Sequence, residues 1–399
     1  MEAEQRFIAW LNEHGAELDA LEIASSLSGS RGVIATRKIA ENEVCMKIPS
    51  KLFISEASVK EDPVLAPIFA EHPDLFTRDD PLLSTYLVYH FHLAEASFFF
   101  PYLSILPEPE SILNWNKDDL IQLQDTKLLE AVERRNHEIE DWYTRVSTRL
   151  FRLYPDLFNT SSFKPKRFRF AWQTVQARTF GRRLPWTALV PFADMLNHAN
   201  VATRYDYDID GNSLFQWRSS QSHNAGDQVF NSYGRRPNQH LLLDYGFALP
   251  QNEWDYVDFD ISLMEYILPK PERRRLFLDA HIMPSPSKLR LVPDTTLDEV
   301  LPFYRCACLT EVTQDTSLLE VQDTAVETQS LYLLRDQLTS HLTTYVTTIE
   351  EDAFLLSDNN VQGNLRTAIQ YRWHQKHILH RIIGLANSKL CPEATTPME

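Results

Sequence analysis

The stretch Gly226-Asp227-Gln228-Val229-Phe230-Asn231-Ser232-Tyr233-Gly234, running on to Leu243-Asp244-Tyr245-Gly246-Phe247, decides how the rest of the chain reads. Between residues 213 and 233 apolar and polar side chains alternate, with Leu214, Gln216, Val229, Asn231 and Tyr233 among them, and this predicts short strands. Glycine is scarce: 10 of 399 residues, against a usual share of about 7%. The ten fall at 15, 29, 32, 181, 211, 226, 234, 246, 363 and 384, leaving two glycine-free stretches, 33 to 180 and 247 to 362. Because glycine serves tight turns and close backbone approaches, its clustering predicts a turn-rich β region, split by one helical insertion and followed by a second helical region.

Local patterns outside the opening stretch agree with that division. Residues 32 to 49 hold two short β-branched runs around Ala40-Glu41-Asn42-Glu43 and read as a hairpin. From about 56 to 175 apolar residues recur at helical spacing, as with Leu120, Leu123, Leu128, Leu129 and Val132. Later, Leu331, Leu334, Leu338, Leu342 and Tyr345 form one helix face, and Leu365, Ile369 and Trp373 begin another. The break between the halves is soft and falls near 255 to 270, where Pro269 and Pro271 punctuate the chain.

Composition narrows the function. With 39 basic against 55 acidic residues the formal charge is -16, which argues against indiscriminate nucleic-acid binding and suits a basic protein partner. No G-x-G-x-x-G or G-x-x-x-x-G-K-[ST] occurs, so neither common nucleotide loop is expected. Cys45, Cys306, Cys308 and Cys391 give no disulfide framework and fit a reducing compartment. The N-terminus lacks a signal-peptide layout and no apolar run approaches a membrane span, so a cytoplasmic or nucleocytoplasmic protein without membrane contact is expected. His374, His377 and His380 sit three apart without a Cys or carboxylate to complete a set, and Cys306-x-Cys308 is only half a zinc motif; no metal is expected.

Three segments carry the chemistry together: Gly29-Ser30-Arg31-Gly32-Val33, Asp194-Met195-Leu196-Asn197-His198, and the opening stretch through Phe247. In this order, with more than a hundred residues between the first two, they resemble the SET-domain methyltransferases, in the branch related to the Rubisco large-subunit lysine methyltransferase. Trp10-Leu11, Pro101-Tyr102-Leu103, Leu106-Pro107, Phe170-Ala171-Trp172, Leu189-Val190-Pro191 and Tyr345-Val346-Thr347-Thr348-Ile349-Glu350-Glu351-Asp352 extend the resemblance over nearly the whole chain. It implies an α+β protein: a β-rich SET fold with a pseudoknot over residues 1–260, interrupted by a helical insertion at about 56–165, then an all-helical substrate-binding domain over 261–399.

The resemblance also implies roles. Gly29, Ser30 and Arg31 match the loop lying along S-adenosylmethionine, and Asn197 and His198 the pair holding its adenine side. Tyr233 matches the catalytic tyrosine at the methyl-transfer channel and also touches the cofactor. Tyr245 and Phe247 match the aromatics that close the channel. Arg178, Arg182 and Asp194 match positions near the acceptor, and Phe180 is an aromatic of the kind the lysine enzymes carry. Two departures stand out: Ala177 where the family often has Ser, and Arg372-Trp373-His374-Gln375-Lys376 where the branch often has Arg-x-x-Glu-Lys. The activity implied is S-adenosylmethionine-dependent protein-lysine N-methylation of a non-histone protein, such as a ribosomal protein or translation factor. Two alternatives stay open, a protein-histidine methyltransferase and a non-catalytic binding module of the same fold. Read singly, the same residues are blander: Tyr233 and Tyr245 as strand aromatics filling a core, Asp194 as a turn cap, Arg178 and Arg182 as an exposed helix face.

Overall fold

Val33 and Val229 are wholly buried, and the strands that carry them, β3 (Ser30–Ala35) and β11 (Gln228–Asn231), pair antiparallel with these two residues opposite one another. On its other edge β3 pairs antiparallel with β2 (Leu21–Leu27), while β8 (Asn197–His198) lies parallel on β11, with Phe230 opposite Asn197 and Asn231 opposite His198. A parallel neighbour cannot arrive by a hairpin. Here it comes from a segment thirty residues upstream, the local mark of the crossed connection that the SET fold implies. These details come from a computed structural model that describes residues 2–27, 30–202, 204–207, 211–260, 288–309 and 324–391.

A second sheet takes the order β1 (Glu17–Leu18), β4 (Val44–Pro49), β10 (Leu214–Arg218), β9 (Tyr205–Tyr207), all antiparallel. A third joins β5 (Ile54–Ser55), β7 (Ala188–Leu189) and β6 (Thr179–Phe180). The expected hairpin over residues 32 to 49 is therefore corrected, since β3 and β4 do not pair and belong to different sheets. The connection between them is long enough to be anchored itself: Ile39 is buried and bridges His223, and the Asn42 N–H donates to the Ser219 carbonyl at 2.9 Å. A tight turn would have forced pairing, whereas this segment carries the chain across.

The chain divides into two compact units, Met1–Asn114 with Ala131–Arg235 and Leu243–Gly246, and Trp115–Glu130 with Arg236–Leu242 and Phe247–Glu399. In the first, the helices Asp79–Leu93 and Pro165–Arg178 pack together, with Phe91 edge-on to Phe170 at 5.4 Å, and Leu83, Leu87, Phe168, Ala171 and Trp172 on them are buried. Each large side chain so removed from water contributes roughly 1.5–3 kcal/mol. That packing fixes the C-terminal end of Pro165–Arg178, where Arg178 leads into β6.

In the second unit a two-strand ribbon, β12 (Val257–Asp260) with β13 (Lys288–Leu291), stands before the helices Leu297–Cys308, Thr324–Leu342, Ile349–Ser357 and Gly363–Leu390. Leu331, Leu334 and Leu338 are buried as their spacing predicts, but the helix ends at Leu342, so Tyr345 lies beyond the face expected to include it. In the last helix the expected stripe is only partly present, because Leu365 is exposed and the buried face carries Arg372, His374, Gln375 and Lys376 among its apolar residues. Arg372 and Lys376 are both 1% exposed and share Asp352, with Arg372 Nη2 at 2.8 Å and Lys376 Nζ at 2.6 Å. Lys376 Nζ also donates to the Thr347 carbonyl at 2.5 Å, and Arg372 Nη1 to the Gln122 carbonyl at 2.6 Å. Gln375 donates to Asp255 Oδ2 at 3.1 Å, which explains one departure from the family pattern: a glutamate there would face a buried carboxylate, whereas an amide can donate to it. Pro269 and Pro271 lie outside the described residues.

Candidate active site

Sheet pairing brings Asn197 and His198 alongside the end of β11, and the chain then turns into Tyr233. Asn197 donates its side-chain amide to the Arg31 carbonyl at 3.1 Å and to Gln228 Oε1 at 2.9 Å, fastening β8 to its neighbour β11 and, across it, to β3. The Tyr233 backbone N–H donates to His198 Nδ1 at 3.1 Å, so the proton of the neutral ring belongs on Nε2. Burial pushes the His198 pKa down to about 4, and the ring is neutral at physiological pH. The Tyr233 hydroxyl donates to the Leu196 carbonyl at 3.0 Å. Burial raises the Tyr233 phenol above its ordinary range, so it too stays protonated. Its ring lies 5.0 Å from His198, nearly parallel, and 4.7 Å from Tyr245.

A charged cluster lies next to this aromatic set. Arg178 Nη1 donates to the Asp194 carbonyl at 2.9 Å and lies 3.3 Å from its Oδ2, which also accepts from the Tyr102 hydroxyl at 2.9 Å. Burial raises the Asp194 carboxyl above the usual carboxylate range, while Arg178 and the Tyr102 hydrogen bond pull it back. The Asp194 side chain has no exposed surface. Arg31 Nη1 donates to the Ile105 carbonyl at 2.6 Å, and burial together with Arg178 pushes its guanidinium down.

Tyr245 ends the helix Asn238–Tyr245, and Gly246 follows at φ +83°. A Cβ at Gly246 would overlap the carbonyl group of Glu110 and come to 2.9 Å of the Ser111 nitrogen. Ser111 Oγ meanwhile donates to the Leu243 carbonyl at 2.7 Å, so this close approach of two backbones places Tyr245. Gly246→Ala is expected to cost about 1–3 kcal/mol of stability from the clash and the strained φ, with a lowered melting temperature as the check.

Of the residues expected in the site, Arg31, Asn197, His198, Tyr233, Tyr245, Arg178 and Asp194 come together in this network. Gly29 lies outside the described residues, and Ser30 begins β3. Arg182 is exposed beyond Gly181, and Phe247 is half-buried after Gly246. In sequence Tyr102 stands only within a family segment, and nothing local to it signals a partner 92 positions away. Phe192 gives no sequence signal either: its ring is fully buried and its φ is +74°, a strained value for a residue other than glycine.

The residues present fit S-adenosylmethionine. Asn231 is 3% exposed and its side-chain oxygen has no hydrogen-bond partner, an orphan acceptor complementary to an N–H donor such as an adenine amino group. Aromatic faces beside a neutral histidine suit a sulfonium better than a cationic site would.

Comparison with known proteins agrees. The Rubisco LSMT substrate-binding family matches residues 270–379. Actin-histidine N-methyltransferases of Otolemur garnettii and Homo sapiens are each 25% identical over 412 residues, covering 94% of this chain and 67% of the relative. Among solved structures, Rubisco LSMT bound to sinefungin and monomethyllysine superposes with a TM-score of 0.75 at 23% identity, covering 98% of this chain and 92% of that one. Rubisco LSMT bound to AdoMet gives 0.71 at 23% identity, covering 100% and 97%. The SET domain family itself matches residues 30–234, just over half of the chain, and that span holds the strand pair that sets Asn197 and His198 beside Tyr233. On these grounds the chain belongs to the SET-domain family of S-adenosylmethionine-dependent methyltransferases.

Proposed function

We propose that the chain is a protein-lysine N-methyltransferase acting on a non-histone protein. The observation that carries the choice of acceptor is Phe180, whose ring stands edge-on to Tyr205 at 5.4 Å and Phe215 at 5.5 Å, two residues beyond Arg178. An apolar ring gives an alkyl-ammonium chain a surface to lie on, but offers no hydrogen bond to orient an imidazole. A basic substrate such as a ribosomal protein complements a chain of formal charge -16.

When bound, S-adenosylmethionine supplies a methyl group made electrophilic by its sulfonium. The chain's own residues do the rest. A lysine must lose its proton before it attacks, which costs roughly 4–5 kcal/mol at pH 7 from a pKa near 10.4. An enclosure built of Tyr233, Tyr245 and neutral His198 disfavours the charged ammonium by desolvation and lowers that cost. Because the Tyr233 proton is committed to Leu196, the phenol oxygen can act toward the amine and methyl only as an acceptor. Alignment in a site that excludes water then supplies most of the acceleration.

A second reading, histidine as acceptor, is favoured by the actin-histidine N-methyltransferases among the relatives. The pH profile separates the two, since His198 has lost its titration to below the neutral range and Tyr233 has moved above it. With a lysine acceptor, log kcat/KM should rise with a slope near 1 from about pH 6 to 9; with histidine it should level off above about pH 7. A plateau would remove the lysine reading.

A further inference from the structure

We propose that Tyr102, from the helical insertion, is a positioning residue for methyl transfer: through Asp194 it holds the turn Phe192–Leu196, whose last carbonyl aims the Tyr233 hydroxyl. The inference rests on the reading of Tyr233 as the central group of the reaction. Tyr102 lies in the short helix Phe100–Leu103, is fully buried, and donates its hydroxyl to Asp194 Oδ2 at 2.9 Å. The other carboxylate oxygen, Asp194 Oδ1, is buried with no hydrogen-bond partner, so the carboxylate is held from one side only, by Tyr102 and Arg178 on Oδ2. A hydroxyl donating to a carboxylate in a dry setting is among the stronger hydrogen bonds available to a protein.

What that bond restrains is a strained turn. Phe192 sits at φ +74° with a wholly buried ring, and such a conformation persists only where the surroundings over-determine it. The turn's own backbone bonds are ordinary or long, from Met195 N–H to the Phe192 carbonyl at 3.0 Å and from Leu196 N–H to the Ala193 carbonyl at 3.4 Å. Asp194 sits in its middle. Two residues on, the Leu196 carbonyl accepts from Tyr233, and the next residue, Asn197, bonds the Arg31 carbonyl. The insertion also supplies the Ile105 carbonyl that takes Arg31 Nη1 at 2.6 Å. A rotation of the turn would thus redirect the tyrosine hydroxyl without removing any group from the site.

Tyr102→Phe keeps the ring, which packs 6.0 Å from Phe7, and deletes only the hydroxyl. The expected result is a kcat lowered about tenfold, with the acceptor KM and the calorimetric Kd for S-adenosylmethionine each within about threefold. In a Tyr233→Phe background, where no hydroxyl remains to be aimed, adding Tyr102→Phe should change kcat no further. Introducing 4-aminophenylalanine at position 102 restores a donor and should return most of the lost kcat. An unchanged kcat in Tyr102→Phe would overturn the proposal. So would an equal fold loss in both backgrounds, or a failed rescue, since each marks a purely structural residue. Wild-type protein that binds S-adenosylmethionine but methylates no protein would instead refute the functional reading on which the proposal stands.

Discussion

Replacing Tyr233 by phenylalanine is expected to lower methyl transfer on the order of a hundredfold, or about 2.7 kcal/mol of barrier, while S-adenosylmethionine still binds within a few fold. The phenol oxygen is the only part removed. The ring stays against His198 and Tyr245, and the backbone N–H still donates to His198 Nδ1. Cofactor contacts made by strands and rings are therefore retained, and the loss falls on the step that needs the amine and methyl aligned. Single-turnover transfer from labelled donor, with the donor Kd measured by calorimetry, separates the two quantities. Full turnover in the variant would take Tyr233 out of its role, and a lost Kd would make it a cofactor ligand first.

The second large effect lies in the helical unit. Asp352→Ala should destabilise it by about 3–5 kcal/mol, because Arg372 and Lys376 would keep their buried positions and lose their shared carboxylate. The Thr347 and Gln122 carbonyls can hold the cations but cannot neutralise them. A fall of roughly 10 °C in the melting temperature is expected. Replacing the whole set, with Asp352→Leu, Arg372→Met and Lys376→Met together, should recover most of it, as apolar residues of similar size commonly match a buried ion cluster. An Asp352→Ala protein that melts like the parent would show that the carbonyls suffice.

How much was legible followed from how local the cause was. The alternation through Val229 and Asn231 and the spacing of Leu331, Leu334 and Leu338 are set by periodicity, and all lie where that period places them. Gly246 could be read as punctuation, but what it makes room for, the Glu110 carbonyl, could not. The hairpin over residues 32 to 49 failed because two adjacent β-branched runs say nothing about which sheet each joins. Asp352 lies twenty residues from Arg372 and twenty-four from Lys376, and nothing local to any of them signals that the fold buries the carboxylate against both cations. For the same reason Tyr102 is an ordinary core aromatic in sequence, and becomes the anchor of Asp194 only once the insertion has folded back.

The measurement that tests the central claim most directly is incubation with methyl-labelled S-adenosylmethionine and a hypomethylated extract, followed by mass spectrometry of the labelled peptide. The account predicts label on the side-chain nitrogen of a lysine in a non-histone protein, greatly reduced with Tyr233→Phe. Label on a histidine ring, or label undiminished in that variant, would contradict it.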